Sequence, residues 1–141
     1  MVKRSLSGPP RRIHAKRFLR SVPKSPPTSL PGAYGLVSTA YGRLDKVQLE
    51  AARKVVRRRL RRLGVLRVLV FPNLPLTRKP LQSRMGRGKG RLASHFCWIR
   101  PGQPLLVVLG VPPGRARQAL AGGASKLPLA TLPSPLRSLQ G

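Results

Sequence analysis

Apolar residues recur with helical spacing along residues 45–64, "DKVQLEAARKVVRRRLRRLG". One apolar stripe is predicted, formed by Leu49, Ala52, Val56, Leu60 and Leu63. Asp45 can cap this helix, Gln48 stands three residues on as in a capping box, and Gly64 offers a left-handed end. The pattern therefore predicts a helix that packs through one face and leaves the other face open.

Shorter apolar runs predict strands. Residues 65–71, "VLRVLVF", are rich in β-branched residues and leucine and precede a turn, so they predict a buried strand. Residues 93–99 and 104–109 flank the turn "RPGQ" and predict an antiparallel hairpin. Residues 112–126 predict a second helix with Ala116 among its inward-facing residues.

The order of these elements, with a short strand after the second helix, predicts an α+β fold. We expect a two-layer sandwich in which a small antiparallel or mixed sheet carries two helices on one face. A long basic loop and an extended N-terminal arm complete it. Residues 1–31, rich in proline and serine, form the arm; residues 32–131 form the domain; and residues 132–141 form a frayed C-terminal tail.

The net charge of the chain says more about its function than its length does. The 141 residues include 29 lysines and arginines but only two acids, Asp45 and Glu50, so the formal net charge is +27. The like charges of a compact chain with this composition repel one another, and binding to a polyanion would neutralise them. Nucleic-acid binding is therefore favoured. An anionic membrane is the weaker interpretation, because the cations are not gathered on one amphipathic helix. The longest apolar run, residues 104–113, is too short to span a bilayer, so a soluble protein is expected.

The predicted helix at residues 45–64 carries cations around the rest of its circumference. They are Arg53, Lys54, Arg57, Arg58, Arg61 and Arg62. A solvated charged face is the alternative, but seven basic residues between Arg53 and Arg62 with no acid among them would destabilise an isolated helix. Phosphate contact is therefore favoured.

A second cationic segment, "TRKPLQSRMGRGKGR" at residues 77–91, falls in the loop between predicted strands. Its "GRGKG" is not a phosphate-binding P-loop, because glycine rather than serine or threonine follows Lys89. Alternating glycines and cations suit a backbone that passes close to crowded phosphates. A flexible basic linker is the alternative.

Catalytic and cofactor chemistry finds little support, and no metal or cofactor is expected. Cys97 is the only cysteine. His95 stands two residues before it, on the same face of the predicted strand, and has no acid nearby in sequence. The two acids both lie on one predicted helix, which leaves no pair of carboxylates for acid–base catalysis. Aromatic residues are few, so RNA recognition through backbone and shape is expected.

Several segments, in order, resemble the bacterial and organellar large-subunit ribosomal protein sixteen family. They are "YGL", "QLEAARKVVRRRLRR", "VFPNLPLTRKPLQSRMGRGKG", "IRPGQPLL", "GVP" and "ALAGGASKLPL", spread over residues 33–131. The resemblance implies a non-enzymatic constituent of the large ribosomal subunit whose partners are large-subunit rRNA, aminoacyl-site tRNA and neighbouring ribosomal proteins. It also implies that the loop at residues 84–90, with the arm, reaches toward the peptidyl-transferase region.

The candidate RNA-binding residues fall into three groups. On the helix they are Arg53, Arg57, Arg58 and Arg61. On the loop they are Arg78, Lys79, Arg84, Met85, Gly86, Arg87, Gly88, Lys89, Gly90 and Arg91. On the arm they are Arg11, Arg12, Lys16 and Arg17.

Two alternatives stay open. A free-standing RNA-binding or RNA-chaperone module would share the same charge. The first 44 residues contain nine cations and no acid, which suits either a mitochondrial targeting segment or an RNA-binding arm. The scarcity of acids favours a mitochondrial member, with chloroplast and bacterial cytoplasm as alternatives.

Overall fold

The computed structural model describes residues 32–86 and 88–136. The arm at residues 1–31 lies outside the described residues, as do Arg87 and residues 137–141. Along the described chain the elements are β1 (Tyr34–Ser38), β2 (Gly42–Asp45), α1 (Lys46–Leu60), β3 (Val65–Val68), β4 (Leu74–Arg78), β5 (Arg91–Ile99), β6 (Pro104–Leu109), α2 (Pro113–Ala124) and β7 (Thr131–Pro135). The α+β class is confirmed.

The strands form two antiparallel sheets rather than the single sheet expected. The larger sheet has the order β3-β6-β1-β7, and the smaller has the order β2-β5-β4. In the larger sheet Leu36 lies opposite Leu106, and in the smaller one Leu44 lies opposite Cys97. The core lies between these sheets and the two helices, where Leu36, Leu44 and Leu106 are fully buried.

The predicted hairpin of residues 93–99 and 104–109 is wrong. The strands β5 and β6 do follow each other through a tight turn, in which the Gln103 amide donates to the Arg100 carbonyl at 3.2 Å. However, Gly102 donates to the Ser38 carbonyl at 2.7 Å, and β6 then pairs with β1 and β3. The strand β6 is buried along nearly its whole length and is a central strand of the larger sheet, whereas β5 is the central strand of the smaller sheet, between β2 and β4.

Helix α1 begins as predicted and ends earlier than predicted. The side-chain Oε1 of Gln48 accepts a hydrogen bond from the Asp45 amide at 3.0 Å, as in a capping box. The chain turns left-handed already at Arg61, with φ 49°, so Leu63 leaves the helix and is 48% exposed. The other four residues of the predicted stripe, from Leu49 to Leu60, are buried.

Further strand predictions also need correction. Residues 65–71 form only the short edge strand β3, whose burial alternates, so this strand is half-buried. Residues 132–135, expected in a frayed tail, belong to β7 and pair with β1. The turn predicted after residue 71 leads into β4, which sequence reasoning did not identify.

Helix α2 matches its prediction. Ala116, Ala119 and Leu120 are buried, and Pro113 stands in the first turn. Gly122 and Gly123 are buried as well, and they let α2 approach α1 closely, because a Cβ on Gly123 would collide with Val56. No helix in the described part of the chain is long and apolar enough to cross a membrane.

Candidate nucleic-acid interface

The outer face of α1 presents the arginines that its sequence pattern predicted. Arg57 and Arg58 are exposed in the last turn, and Arg61 is exposed at the cap. Cations at a helix C-terminus interact favourably with the helix dipole, which helps the helix to tolerate this density of charge. Within the described residues these three side chains form no ion pair with a carboxylate, since Asp45 and Glu50 pair with Arg43 and Arg53.

Arg53 differs from the other predicted helix residues because it is paired within the protein. Its guanidinium donates to both carboxylate oxygens of Glu50, at 2.8 and 2.6 Å. The hydrogen bond lowers the pKa of Glu50 and raises the pKa of Arg53. The other acid, Asp45, lies 3.5 Å from Arg43. Arg53 is therefore partly neutralised, and the uncompensated charge of α1 lies toward its C-terminal end.

The basic loop joins β4 to β5, so it forms the tip of a β-hairpin. Arg78 and Arg91 face each other at the base of the hairpin, and the loop between them is exposed nearly throughout. Inside the loop, the Ser83 amide donates to the Pro80 carbonyl at 3.1 Å. The Lys79 ammonium donates to the Gly86 carbonyl at 2.8 Å, which ties the base of the loop to its tip. The structure thus gives this segment local order.

Two glycines of the loop have identifiable reasons to be glycine. Gly88 has φ +126°, a conformation that L side chains rarely adopt. Gly90 lies against the backbone of Arg78 and Lys79, where a Cβ would come within 2.5 Å of the Arg78 carbonyl group. Gly86, by contrast, has open space around its Cα.

The tip of the loop is apolar as well as cationic. Met85 and Leu81 are both fully exposed, while Arg84 and Lys89 are exposed beside them. Leu81 was not among the predicted site residues, and only its position within a polar loop could have drawn attention to it. The loop therefore offers both charge and apolar contact to a partner.

Arg59 and Arg115 are further cations that the sequence-based prediction missed. Together with Arg58 and Arg61 they line a cleft of about 490 Å³ between the end of α1 and the start of α2. The Arg59 Nη1 donates to the Gln118 carbonyl at 3.0 Å. No local pattern could have joined them, because residues 58–61 and 115 are distant in sequence.

The candidate nucleophile Cys97 is part of the hydrophobic core. Cys97 is buried, and its thiol donates to the Leu44 carbonyl at 3.6 Å. Burial, with a smaller contribution from Asp45, raises the pKa of the Cys97 thiol to about 12. The described residues contain no group of three or more histidines, cysteines or acids that could hold a metal ion. The predicted residues Arg11, Arg12, Lys16, Arg17 and Arg87 lie outside the described residues.

Comparison with known proteins identifies the family of the chain that carries this cationic surface. The family model described as ribosomal protein L16p/L10e matches residues 7–132. The chain belongs to this family. A protein of Pseudoalteromonas atlantica named large ribosomal subunit protein uL16 is 44% identical over 100 residues, covering 71% of this chain and 74% of its own length. Proteins of the same name from Aeromonas hydrophila and Aeromonas salmonicida are also 44% identical over 100 residues, covering 71% of this chain and 73% of their own lengths. The L16p/L10e family comprises structural ribosomal proteins and not enzymes.

Proposed function

We propose that the chain is a structural constituent of the large ribosomal subunit that binds large-subunit rRNA through the C-terminal half of α1 and through the basic loop. Family membership assigns it to the ribosome rather than to a free-standing RNA-binding or chaperone class. The observation that carries the mode of binding is the distribution of charge. Exposed arginines cover two surfaces, while both acids of the chain are paired with Arg43 and Arg53.

The basic loop supports the aminoacyl-tRNA site in this proposal. Its support is the resemblance of "RMGRGKG" to the family motif and the geometry of the hairpin tip, where Arg84 and Lys89 are exposed. A folded hairpin with a fixed glycine conformation can position its cations, which a flexible linker could not do. The partners are then rRNA, tRNA at the aminoacyl site and neighbouring large-subunit proteins.

A reconstitution experiment tests the proposal. Large subunits that lack this protein are incubated with wild-type chain or with the Arg84→Ala variant, and occupancy is measured by quantitative mass spectrometry beside aminoacyl-tRNA binding. We expect full occupancy with both chains and weaker tRNA binding with Arg84→Ala, which Arg84→Lys restores only in part. Failure of the wild-type chain to enter the subunit contradicts the ribosomal role. Equal tRNA binding by all three chains contradicts only the role of the loop.

We further propose a mitochondrial location, which rests on composition alone. The argument is the near absence of acids together with nine cations in the first 44 residues. The matched relatives named above are bacterial, so the bacterial cytoplasm is the main competing location, followed by the chloroplast. Expression of the tagged full chain in eukaryotic cells, beside a chain that starts at residue 32, tests this. Mitochondrial import of the full chain alone supports the proposal, and exclusion of both chains contradicts it.

A further inference from the structure

The cleft between α1 and α2 is lined mostly by arginines, which attract an anion. Its lining consists of Arg58, Arg59, Arg61, Arg115, Gln118 and Ala119. We propose that this cleft binds backbone phosphates of an rRNA strand, with Arg59 as a donor held in position before the RNA arrives. This inference rests on the proposed rRNA-binding function and assigns to it a specific phosphate site.

No acidic side chain is among the described residues that line the cleft. Asp45 and Glu50 are the only acidic side chains of the sequence, and they pair with Arg43 and Arg53. Arg115 stands in the first turn of α2, where the helix dipole disfavours a cation and no acid occurs. Four arginines in one cleft repel one another, and a bound anion would relieve this repulsion.

Arg59 is held in place by the second helix. Its Nη1 donates to the Gln118 carbonyl at 3.0 Å, which fixes one of its five N–H donors and leaves the others for a ligand. Its guanidinium lies over Gly122 in the space that a Cβ at that position would fill. The Arg59 guanidinium can therefore lie in this position because Gly122 has no side chain.

The dimensions and lining of the cleft favour RNA backbone over other anions. Its volume of about 490 Å³ lies within the range of roughly 300 to 1,000 Å³ typical of sites for small organic groups, so more than a single ion fits. Guanidinium groups match phosphate oxygens in a forked geometry. No aromatic side chain is among the described residues that line the cleft, so it offers contacts to phosphate and not a platform for a base.

A pair of glycine substitutions in one helix tests the proposal without altering charge. The Gly122→Ala variant places a methyl group where the Arg59 guanidinium lies, whereas Gly114→Ala adds the same group in the first turn of α2, with open space around it. Both substitutions raise helix propensity, and the nearest atoms to a Cβ at Gly122 all belong to the guanidinium of the exposed Arg59 side chain, which can move aside, so both variants should fold. We expect Gly122→Ala to bind large-subunit rRNA about 10-fold more weakly than wild type, as for the loss of a charge-assisted hydrogen bond. We expect Gly114→Ala to bind as wild type does.

A charge-matched pair provides the second measurement. Arg115→Gln, which lies in the cleft and outside both surfaces of the proposed function, should reduce the slope of log affinity against log salt by about 0.7 to 0.9 for each phosphate that the variant no longer neutralises. The control, Arg67→Gln, removes the same charge from an exposed position outside the cleft lining and should change the slope less.

The outcomes separate this inference from the proposed function. Absence of rRNA binding by the wild-type chain contradicts the proposed function and the cleft together. Normal wild-type binding with unchanged affinity in Gly122→Ala and an unchanged slope in Arg115→Gln overturns the cleft alone. Inorganic pyrophosphate and a nucleoside triphosphate serve as competitors. If either occupies the cleft as tightly as the rRNA does, the site is one for free phosphates and the RNA assignment is wrong.

Discussion

Single residues of the basic loop act through the backbone as well as through charge. Gly88 adopts a φ of +126°, and Gly90 allows the chain to pass against Arg78. A loop that only attracted phosphates would need neither feature, since cations on a flexible chain attract a polyanion equally well. The geometry of the loop is therefore as specific as its charge.

We predict that Gly88→Val lowers aminoacyl-tRNA binding by large subunits although it leaves every charge in place. A β-branched side chain at this φ forces the tip of the loop into another conformation. Gly86→Val is the matched control and should have the smaller effect, because Gly86 has open space around it and no positive φ. Wild-type tRNA binding by Gly88→Val particles at full occupancy would reduce the loop to a basic tether.

The buried Cys97 thiol gives a second prediction for a single residue. Its pKa is raised to about 12 by burial, so the thiol stays protonated and unreactive in the folded protein. Because the folded pKa lies above the unfolded one, stability from this group is fully present below about pH 9 and declines as the pH rises toward 12. We expect an alkylating reagent at pH 8 to modify Cys97 at least 10-fold faster after denaturation. Equal rates before and after would show that the thiol is accessible.

At the level of helices and strands, local sequence patterns predicted the features that depend on residues close together in the chain. Both helices, apart from the end of α1, and the span of β6 follow from periodicity, capping and proline placement, and the structure confirms them. The pairing of β5 with β6 was predicted wrongly because adjacency in sequence favours a hairpin, whereas burial along β6 places it between β1 and β3. The basic loop was located from its sequence, but the four-arginine cleft was not, because it forms only when α1 and α2 pack together.

The end of α1 supplies the prediction for an element. Leu60→Ala should lower the free energy of unfolding by about 2 to 5 kcal/mol, because Leu60 is almost fully buried against the core. Leu63→Ala is the matched control: Leu63 was predicted on the same stripe but is 48% exposed, so its loss should cost much less. Denaturant unfolding of both variants measures this difference. Similar costs for the two would mean that α1 continues to Gly64, as its sequence pattern suggested.

At the scale of the whole molecule, net charge couples folding to RNA. With 29 basic and two acidic residues, the free chain is stabilised by any agent that screens repulsion between its cations. The same screening weakens contact with RNA, because bound counterions are no longer released favourably. Stability of the free protein and affinity for RNA should therefore respond to salt in opposite directions.

We predict that salt raises the stability of the free chain and lowers its affinity for RNA. Raising sodium chloride from about 50 to about 200 mM should raise the midpoint of thermal unfolding of the free chain. Over the same range, affinity for large-subunit rRNA should fall by about 10³ to 10⁵ if roughly 6 to 10 phosphates are contacted, about the number that the cations of α1, the cleft and the loop provide. Differential scanning fluorimetry and filter binding on one protein preparation give both curves. A midpoint that is flat or falls with salt would show that the free fold carries little internal repulsion, and repulsion among its arginines would then not favour phosphate binding.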